Sequence, residues 1–398
     1  MNKYVALMIS AWVMGASSAA NSFDYIEQYG KVEFKASSYF ENPAYSEQND
    51  KFGEVQIEPS LFIEQGSTHT FIQPRLRIGD TGASRADLRE AHISFRANEM
   101  DIRIGSLLEF WGKTESYNPS DIINSYDYTS GLADSQKLGA PAFKVSSDLN
   151  DGYLSLLLFP FFVENAYPGL SSRARLQTLV SNDTASYSND ASRNDNSYAL
   201  RYEGYQGDLD YGLSYFDGIT REPYFTLGSD GRLVPNYFPI QQIGADVQYL
   251  LGDTALKTEI VRRTGQFNAN GVKEDYSAGV FGAEHNIYGV FDSAYDLILV
   301  GELAADSRGK DSHTIFQRDF AAGATLLFNN IDDSEINLFL IRDLSYTSLL
   351  TRLSYSTRLN DAFTIQSNLN FHSNFEKDAG QAALAQDSNA NITLSYNW

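Results

Sequence analysis

Polar and apolar residues alternate with a period of two in segments of about ten residues along most of the chain. In residues 362–372, for example, Asn368 and Asn370 fall on one side, whereas Leu369 and Phe371 fall on the other. A period of two places alternate side chains on opposite faces of a β-strand. The predicted strands are 30–41, 53–64, 70–78, 88–97, 101–110, 141–149, 152–160, 197–204, 208–217, 240–251, 254–264, 275–285, 295–305, 317–329, 335–343, 347–359, 362–372 and 389–398.

The links between these segments alternate between short and long. Residues 65–67 and 98–99 form short links, whereas 111–140 and 161–196 are long. Short turns at one end and long loops at the other are typical of barrels whose strands cross a membrane. Lipid cannot form hydrogen bonds with the unpaired backbone N–H and C=O groups at a sheet edge, so such a sheet must close on itself. The pattern therefore predicts an all-β protein, a transmembrane antiparallel up-and-down β-barrel of 16–18 strands, about 18, with 111–140 and 161–196 as long external loops.

The N-terminal residues have the features of a secretory signal peptide. Lys3 is followed by the mostly apolar stretch 4–15 and by the small residues at 17–20, so we expect residues 1–20 to be removed and 21–398 to form a single barrel. About nine residues precede the first predicted strand, and we therefore expect no plug domain. An even number of strands places both termini on the same side, which is the periplasmic side for an exported barrel.

The C-terminal segment 389–398 alternates strictly and ends on an aromatic residue. Its apolar positions include Leu394, Tyr396 and Trp398. This segment resembles the terminal assembly signal of Gram-negative outer-membrane β-barrels. The resemblance implies recognition by the barrel-assembly machinery and contact with outer-membrane lipid and lipopolysaccharide.

Composition agrees with this fold class and excludes other functions. Hydrophobic residues make up 42% of the chain and aromatic residues 13%, while the mean hydropathy is -0.33. Strands with one lipid-facing side and aromatic girdles explain this combination. The net charge of -21 argues against nucleic acid as a partner, because phosphate binding requires a basic surface. With no cysteine, the chain has no thiolate chemistry, and no motif indicates a metal or cofactor.

The segment after the fifth predicted strand carries a distinctive local motif. Trp111 precedes a glycine, and an Asn-Pro-x-Asp sequence runs from Asn118 to Asp121. With the surrounding residues 88–168, this motif resembles a family of porin-like outer-membrane proteins of unknown function. The resemblance implies a channel without a cofactor.

Charged residues on the predicted inner face and in the first long loop are candidates for a pore lining or constriction. One interpretation is that these charges only pair with one another and shape the loop. The other is that basic residues on one wall oppose carboxylates elsewhere, which favours anionic or zwitterionic solutes. The candidates are Arg75, Arg77, Glu90, Arg96, Arg103, Glu109, Lys113, Glu115, Asp121, Lys257, Glu259 and Arg352.

These features together predict a channel for passive diffusion of small hydrophilic solutes. They do not decide between a monomer and a homotrimer. A surface-binding or adhesin-like barrel is the main alternative, with the Asn/Ser/Asp-rich stretch 181–197 and the Tyr-rich loop 223–238 as binding loops. An outer-membrane hydrolase is a further alternative. No histidine lies in a known catalytic motif, so we expect the protein not to be an enzyme.

Overall fold

The computed structural model describes residues 23–80, 84–131, 135–188, 190–268, 270–312, 314, 316–377 and 382–398. The expected signal peptide, 1–20, lies outside these residues. Eighteen antiparallel strands form one closed sheet, which confirms the predicted fold class and strand number. Among the described residues, the helices are short 3-10 turns, at Gly309–Asp311, Phe375–Lys377 and Ala382–Leu384, and there is no plug domain.

The barrel strands follow one another around the sheet in chain order. They are β1 Tyr25–Tyr39, β2 Lys51–Gln65, β3 Thr68–Gly79, β4 Arg85–Ala97, β5 Met100–Leu107, β6 Ala140–Leu149, β7 Gly152–Phe159, β8 Ser197–Gln206, β9 Leu209–Ile219, β10 Pro239–Leu251, β11 Thr254–Phe267, β12 Lys273–Val290, β13 Tyr295–Asp306, β14 Arg318–Leu327, β15 Glu335–Asp343, β16 Leu349–Arg358, β17 Phe363–Ser373 and β18 Asn389–Asn397. Short strands in the loops are Tyr126–Asp127 with Gln136–Lys137, and Ser186–Tyr187 with Tyr224–Leu227 and Leu233–Tyr237.

The barrel closes where β18 pairs with β1. The register runs from Lys31 opposite Asn397 to Tyr39 opposite Asn389. Trp398 extends this pairing, because its backbone N–H donates to the Gly30 carbonyl at 3.1 Å. A Cβ on Gly30 would lie 2.6 Å from the Trp398 indole, so only glycine leaves room for the terminal aromatic ring at this seam.

Links at the two ends of the barrel differ in length as predicted. The first strand begins and the last strand ends at the end with the short turns, since Tyr25 pairs with Glu64 beside the 66–67 turn. The predicted link 286–294 is shorter in the structure, because β12 continues through a bulge to Val290. Pro74 lies within β3, and the register shifts between Gln73 and Pro74 because a proline cannot donate a ladder hydrogen bond.

The outer face of the barrel is apolar and exposed. Examples with exposed side chains are Phe34, Leu156, Ile260, Phe281 and Leu303. Within the described residues, no helix is long and apolar enough to cross a membrane.

The inner face is not polar throughout. A cluster of buried apolar residues lies inside the bore next to the loop-side ends of β5–β10. It joins Leu157, Phe216 and Ile240 of the wall to Ile122 and Ile123 of the long connection between β5 and β6. Apolar side chains therefore close the bore next to these strands at their loop-side ends.

Candidate functional site

The connection between β5 and β6, residues 108–139 (loop A), crosses the bore. It leaves β5, reaches the wall at β11 and β13, returns to the wall at β3 and then enters β6. Each contact with the wall uses a different set of polar groups. Together these contacts hold loop A in a fixed position across the bore.

Glu259 of β11 is the first anchor, and its side chain is completely buried. Its Oε1 accepts hydrogen bonds from the backbone N–H of Lys113 at 2.6 Å and of Thr114 at 3.0 Å. The same oxygen accepts from the Thr114 hydroxyl and from Nδ2 of Asn118, both at 2.8 Å. Hydrogen bonds to an ionised acceptor are about twice as strong as neutral ones, so this carboxylate is the centre of a tight loop conformation.

The Trp-Gly and Asn-Pro residues of the sequence motif wrap this carboxylate. Gly112 has a φ of +118°, and a Cβ there would lie 2.5 Å from Oε1 of Glu259 and 2.7 Å from Nδ2 of Asn118. Trp111 is buried in the apolar cluster. The motif therefore combines a residue that packs on the wall with a backbone turn that closes around a wall carboxylate.

Glu302 of β13 is a second, similar anchor. It accepts hydrogen bonds from the backbone N–H of Glu115 at 2.8 Å and of Ser116 at 2.7 Å. The Glu115 side chain in turn binds Nζ of Lys257 at 2.7 Å, and Glu284 binds the same nitrogen at 2.8 Å. The Glu259 and Glu302 anchors thus draw residues 112–120 onto one wall.

The tip of loop A binds the opposite wall through Asp127, which is completely buried. Its Oδ2 lies 3.2 Å from Nη2 of Arg75 and 2.8 Å from Nη2 of Arg77. Arg75 also binds Asp87 of β4 at 2.7 Å. Both arginines are nearly fully buried, so their guanidinium groups contact loop A and the wall rather than open water.

The two ends of loop A are joined at its base. Nδ2 of Asn124 donates to the carbonyls of Leu107 and Leu138, both at 2.9 Å. Nζ of Lys137 contacts the Asp121 carboxylate. Burial raises the pKa of Asp121 to about 6, with Lys137 acting in the opposite direction. Because Asp121 and Lys137 both belong to loop A, this ion pair joins two parts of the same loop.

The second long connection, residues 160–196 (loop B), lies over loop A at the mouth. A short parallel bridge joins Asp127 to Ala166. Arg173 of loop B reaches the far rim of the barrel with a completely buried side chain. Its guanidinium binds Asp50 at 2.9 Å and Asp387 at 3.2 Å, and it donates to the Glu41 carbonyl at 3.2 Å. Arg173 thus fastens loop B to the β1–β2 and β17–β18 loops.

Acidification is expected to stabilise this fastened position of loop B. Burial raises the pKa of Asp387 to about 6, whereas Arg173 opposes the rise. When loop B is released, the pKa of the Asp387 carboxyl would return to its ordinary value of about 4. The fastened state therefore binds the proton more tightly, and its stability relative to the released state grows as the pH falls from about 7 through about 6 towards about 4.

Protease cleavage of loop B at pH 7 and pH 5 measures this effect, and Asp387→Asn should abolish the difference. An unchanged pH dependence in that variant would contradict the assignment.

The open part of the bore lies between the tip of loop A and the strands β1, β2 and β16–β18. One cavity there has a volume of about 310 Å³ and adjoins a second at Lys35 and Ser130. Wall residues that line the pair include Glu33, Glu54, Arg352, Gln366, Asn389 and Thr393. These two adjoining cavities together form the aperture. The aperture is polar, carries charges of both signs and lies at one side of the barrel.

A third cavity of about 680 Å³ lies near the short-turn end. Lys113 of loop A lines it together with the carboxylates of Asp148, Glu203 and Asp210. Of the candidates from the sequence, Lys113 lines this cavity and Arg352 lines the aperture.

The remaining candidates lie at the start of loop A or on the inner wall. Glu109 binds Lys144 at 2.8 Å, and Glu90 lies 3.3 Å from His92. Arg96 and Arg103 lie on β4 and β5 and form no ion pair with any described residue.

Sequence reasoning missed the residues that shape the aperture most directly. Lys35 and Glu33 occupy alternate inward positions of β1, and the same period-two pattern that marked other strands could have identified them. The roles of Asp127, Arg173 and Glu302 had no local signal, because each depends on a partner far away in the chain.

Comparisons with known proteins support the barrel fold. The sequence matches no protein-family model and no curated protein. The structure resembles OccK8 (OprE) of Pseudomonas aeruginosa at 10% identity, with 94% of this chain and 98% of that chain covered and a TM-score of 0.54. OccAB1 of Acinetobacter baumannii is similar at 10% identity, 93% and 96% coverage and a TM-score of 0.53. OccK11 (OpdR) of Pseudomonas aeruginosa is 8% identical, with 94% and 95% coverage and a TM-score of 0.52. At these identities the likeness concerns the fold alone.

Proposed function

We propose that this protein is an outer-membrane channel for passive diffusion of small hydrophilic solutes. The observation that carries the proposal is the polar aperture between the tip of loop A and the β1, β17 and β18 wall, inside a closed barrel with an apolar outer face. An 18-stranded barrel is too wide for its own strand side chains to fill. Loop A therefore sets the size of the opening.

The proposed location is the Gram-negative outer membrane, with lipid and lipopolysaccharide around the apolar face. The first strand begins and the last strand ends at the short-turn end, which corresponds to the periplasmic side in barrels of this type. A removable signal at 1–20 and recognition of β18 by the barrel-assembly machinery fit export to this membrane. Cleavage of long loops by protease added to intact cells tests the orientation, and chemical cross-linking in the membrane tests for a homotrimer.

The charges at the aperture favour zwitterionic solutes. Lys35 and Arg352 provide positive charge, whereas Glu33 and Glu54 provide negative charge within the same adjoining cavities. A solute that carries both signs can meet both sets of groups at once. Rings and clusters of charged side chains are a general basis of selectivity in pores.

Planar-bilayer recording tests the proposal. The folded protein is expected to insert with discrete conductance steps in KCl. Under a KCl gradient, Lys35→Ala and Arg352→Ala should shift the reversal potential towards cation preference, and Glu33→Ala should shift it towards anion preference. Folded protein that inserts without conductance would contradict a channel and favour the surface-binding alternative. Hydrolysis of ester or peptide substrates would instead favour an outer-membrane hydrolase.

A further inference from the structure

A row of uncharged amide and hydroxyl side chains runs along the inward face of β17 and β18. We propose that this row, the amide track, recognises neutral polyhydroxylated solutes such as sugars as they pass the aperture. The inference rests on the proposed channel function and adds a solute class to it. The amide track consists of Gln366, Asn368, Asn370, Asn389, Asn391 and Thr393.

Hydrogen bonds within the amide track point the carboxamides in defined directions. Nε of Arg352 donates to Oδ1 of Asn370 at 2.8 Å, and Nδ2 of Asn370 donates to Oδ1 of Asn389 at 3.1 Å. Nδ2 of Asn368 donates to Oδ1 of Asn391 at 2.8 Å. Arg352 therefore starts a chain of donors and acceptors that continues across three strands.

The members of the amide track divide into a buried base and an accessible row. Asn370 and Asn391 are buried, whereas Asn368 and Asn389 are partly exposed and Gln366 is exposed. A buried amide with fixed partners holds its accessible neighbour in one orientation. The accessible groups are thus arranged before a solute arrives, which lowers the entropic cost of binding.

The chemistry of a carboxamide matches that of a hydroxyl group. Each carboxamide has two N–H donors and two acceptor lone pairs. Nδ2 of Asn368 and Nδ2 of Asn389 each donate one hydrogen bond to a described residue, to Asn391 and to the Asp387 carbonyl. A further N–H of each remains for a solute. A hydroxyl both donates and accepts, so neighbouring hydroxyls of a sugar can bond to neighbouring amides without bringing a charge into the bore.

An aromatic pair lies in the same cavity as the upper part of the amide track. The rings of Tyr39 and Phe52 are 5.7 Å apart, and both line the cavity with Asn389 and Asn391. Aromatic rings offer an apolar surface for the C–H face of a sugar ring. The adjoining cavity of about 310 Å³ falls at the lower end of the roughly 300–1,000 Å³ range of small-molecule sites. The cavity that holds the aromatic pair and the oriented asparagines measures about 60 Å³ and joins this larger space at Lys35 and Ser130.

Glucose block of the channel current tests the inference. Wild-type current in KCl should fall with added glucose in a saturable manner, and triethylene glycol, a neutral solute with few hydroxyls, should block without saturation. Each lost hydrogen bond corresponds to about a fivefold change in affinity. The Asn368→Leu/Asn389→Leu double variant should therefore weaken the glucose block at least about fivefold while its KCl conductance stays within about twofold of wild type.

Asn337→Leu is the matched control, because Asn337 is an inward amide of β15 that bonds to Thr325 outside the amide track. It should leave the glucose block unchanged. Equal block by glucose in the wild type and the double variant, or a block without saturation in the wild type, would overturn the amide track while leaving the channel in place. Absence of any wild-type conductance would instead overturn the channel proposal.

Discussion

Glu259→Ala is expected to raise the single-channel conductance at least about twofold, because loop A would no longer be held across the open section that carries the ions. The substitution removes the acceptor for four hydrogen bonds from Lys113, Thr114 and Asn118. Hydrogen bonds to a charged group contribute about 1.5–3 kcal/mol each. On this wall, Glu302 with its hydrogen bonds from Glu115 and Ser116 would be left as the carboxylate anchor of the segment. Conductance in planar bilayers is the measurement, with heat-modifiable gel migration to show that the barrel remains folded.

Glu203→Ala provides the control for this prediction. Glu203 is also a wall carboxylate, but it is about half exposed, binds Arg201 of its own strand at 3.1 Å and accepts no hydrogen bond from a described residue of loop A. Its replacement should leave the conductance near the wild-type value. If Glu259→Ala conducts like wild type although the barrel is folded, then Glu259 does not control the position of loop A.

Arg173→Ala is expected to release loop B from the far rim and to speed its cleavage by protease at least about tenfold, since each 1.4 kcal/mol changes a population tenfold. The guanidinium binds two carboxylates, Asp50 and Asp387, and backbone carbonyls including that of Glu41. Its loss leaves the buried carboxylate of Asp387 without this donor. The site of cleavage should fall within 160–196, and mass spectrometry of the fragments identifies it.

Arg193→Ala is the matched control on the same loop. Arg193 is exposed, and its side chain forms no ion pair with any described residue. Its removal should leave the cleavage rate close to wild type. Equal protection of loop B in Arg173→Ala and wild type would mean that the apolar contacts of loop B, such as Phe162 with Tyr237, are sufficient to hold it.

The candidate site was predicted less completely than the fold. Charges such as Lys257 and Glu259 were identified as inward-facing from the period of two, and the structure places both on the inner face of β11. Their partners could not be identified in this way. Lys113 and Glu259 are 146 positions apart in the chain, and no local pattern indicates which wall a long loop will reach.

The amino-acid sequence by itself determined the strands, their two faces, the alternation of short and long links and the closed barrel. These follow from a period of two and from the backbone's need for hydrogen bonds, and both are local or general constraints. Only the tertiary structure decided that apolar residues such as Leu157 and Phe216 face inward and pack against loop A. It also decided that Arg75 and Arg77 bind Asp127 and that the aperture lies beside β1, β17 and β18. The physical reason is that the path of a long loop depends on contacts between residues that are distant in the chain and meet only after the barrel has closed.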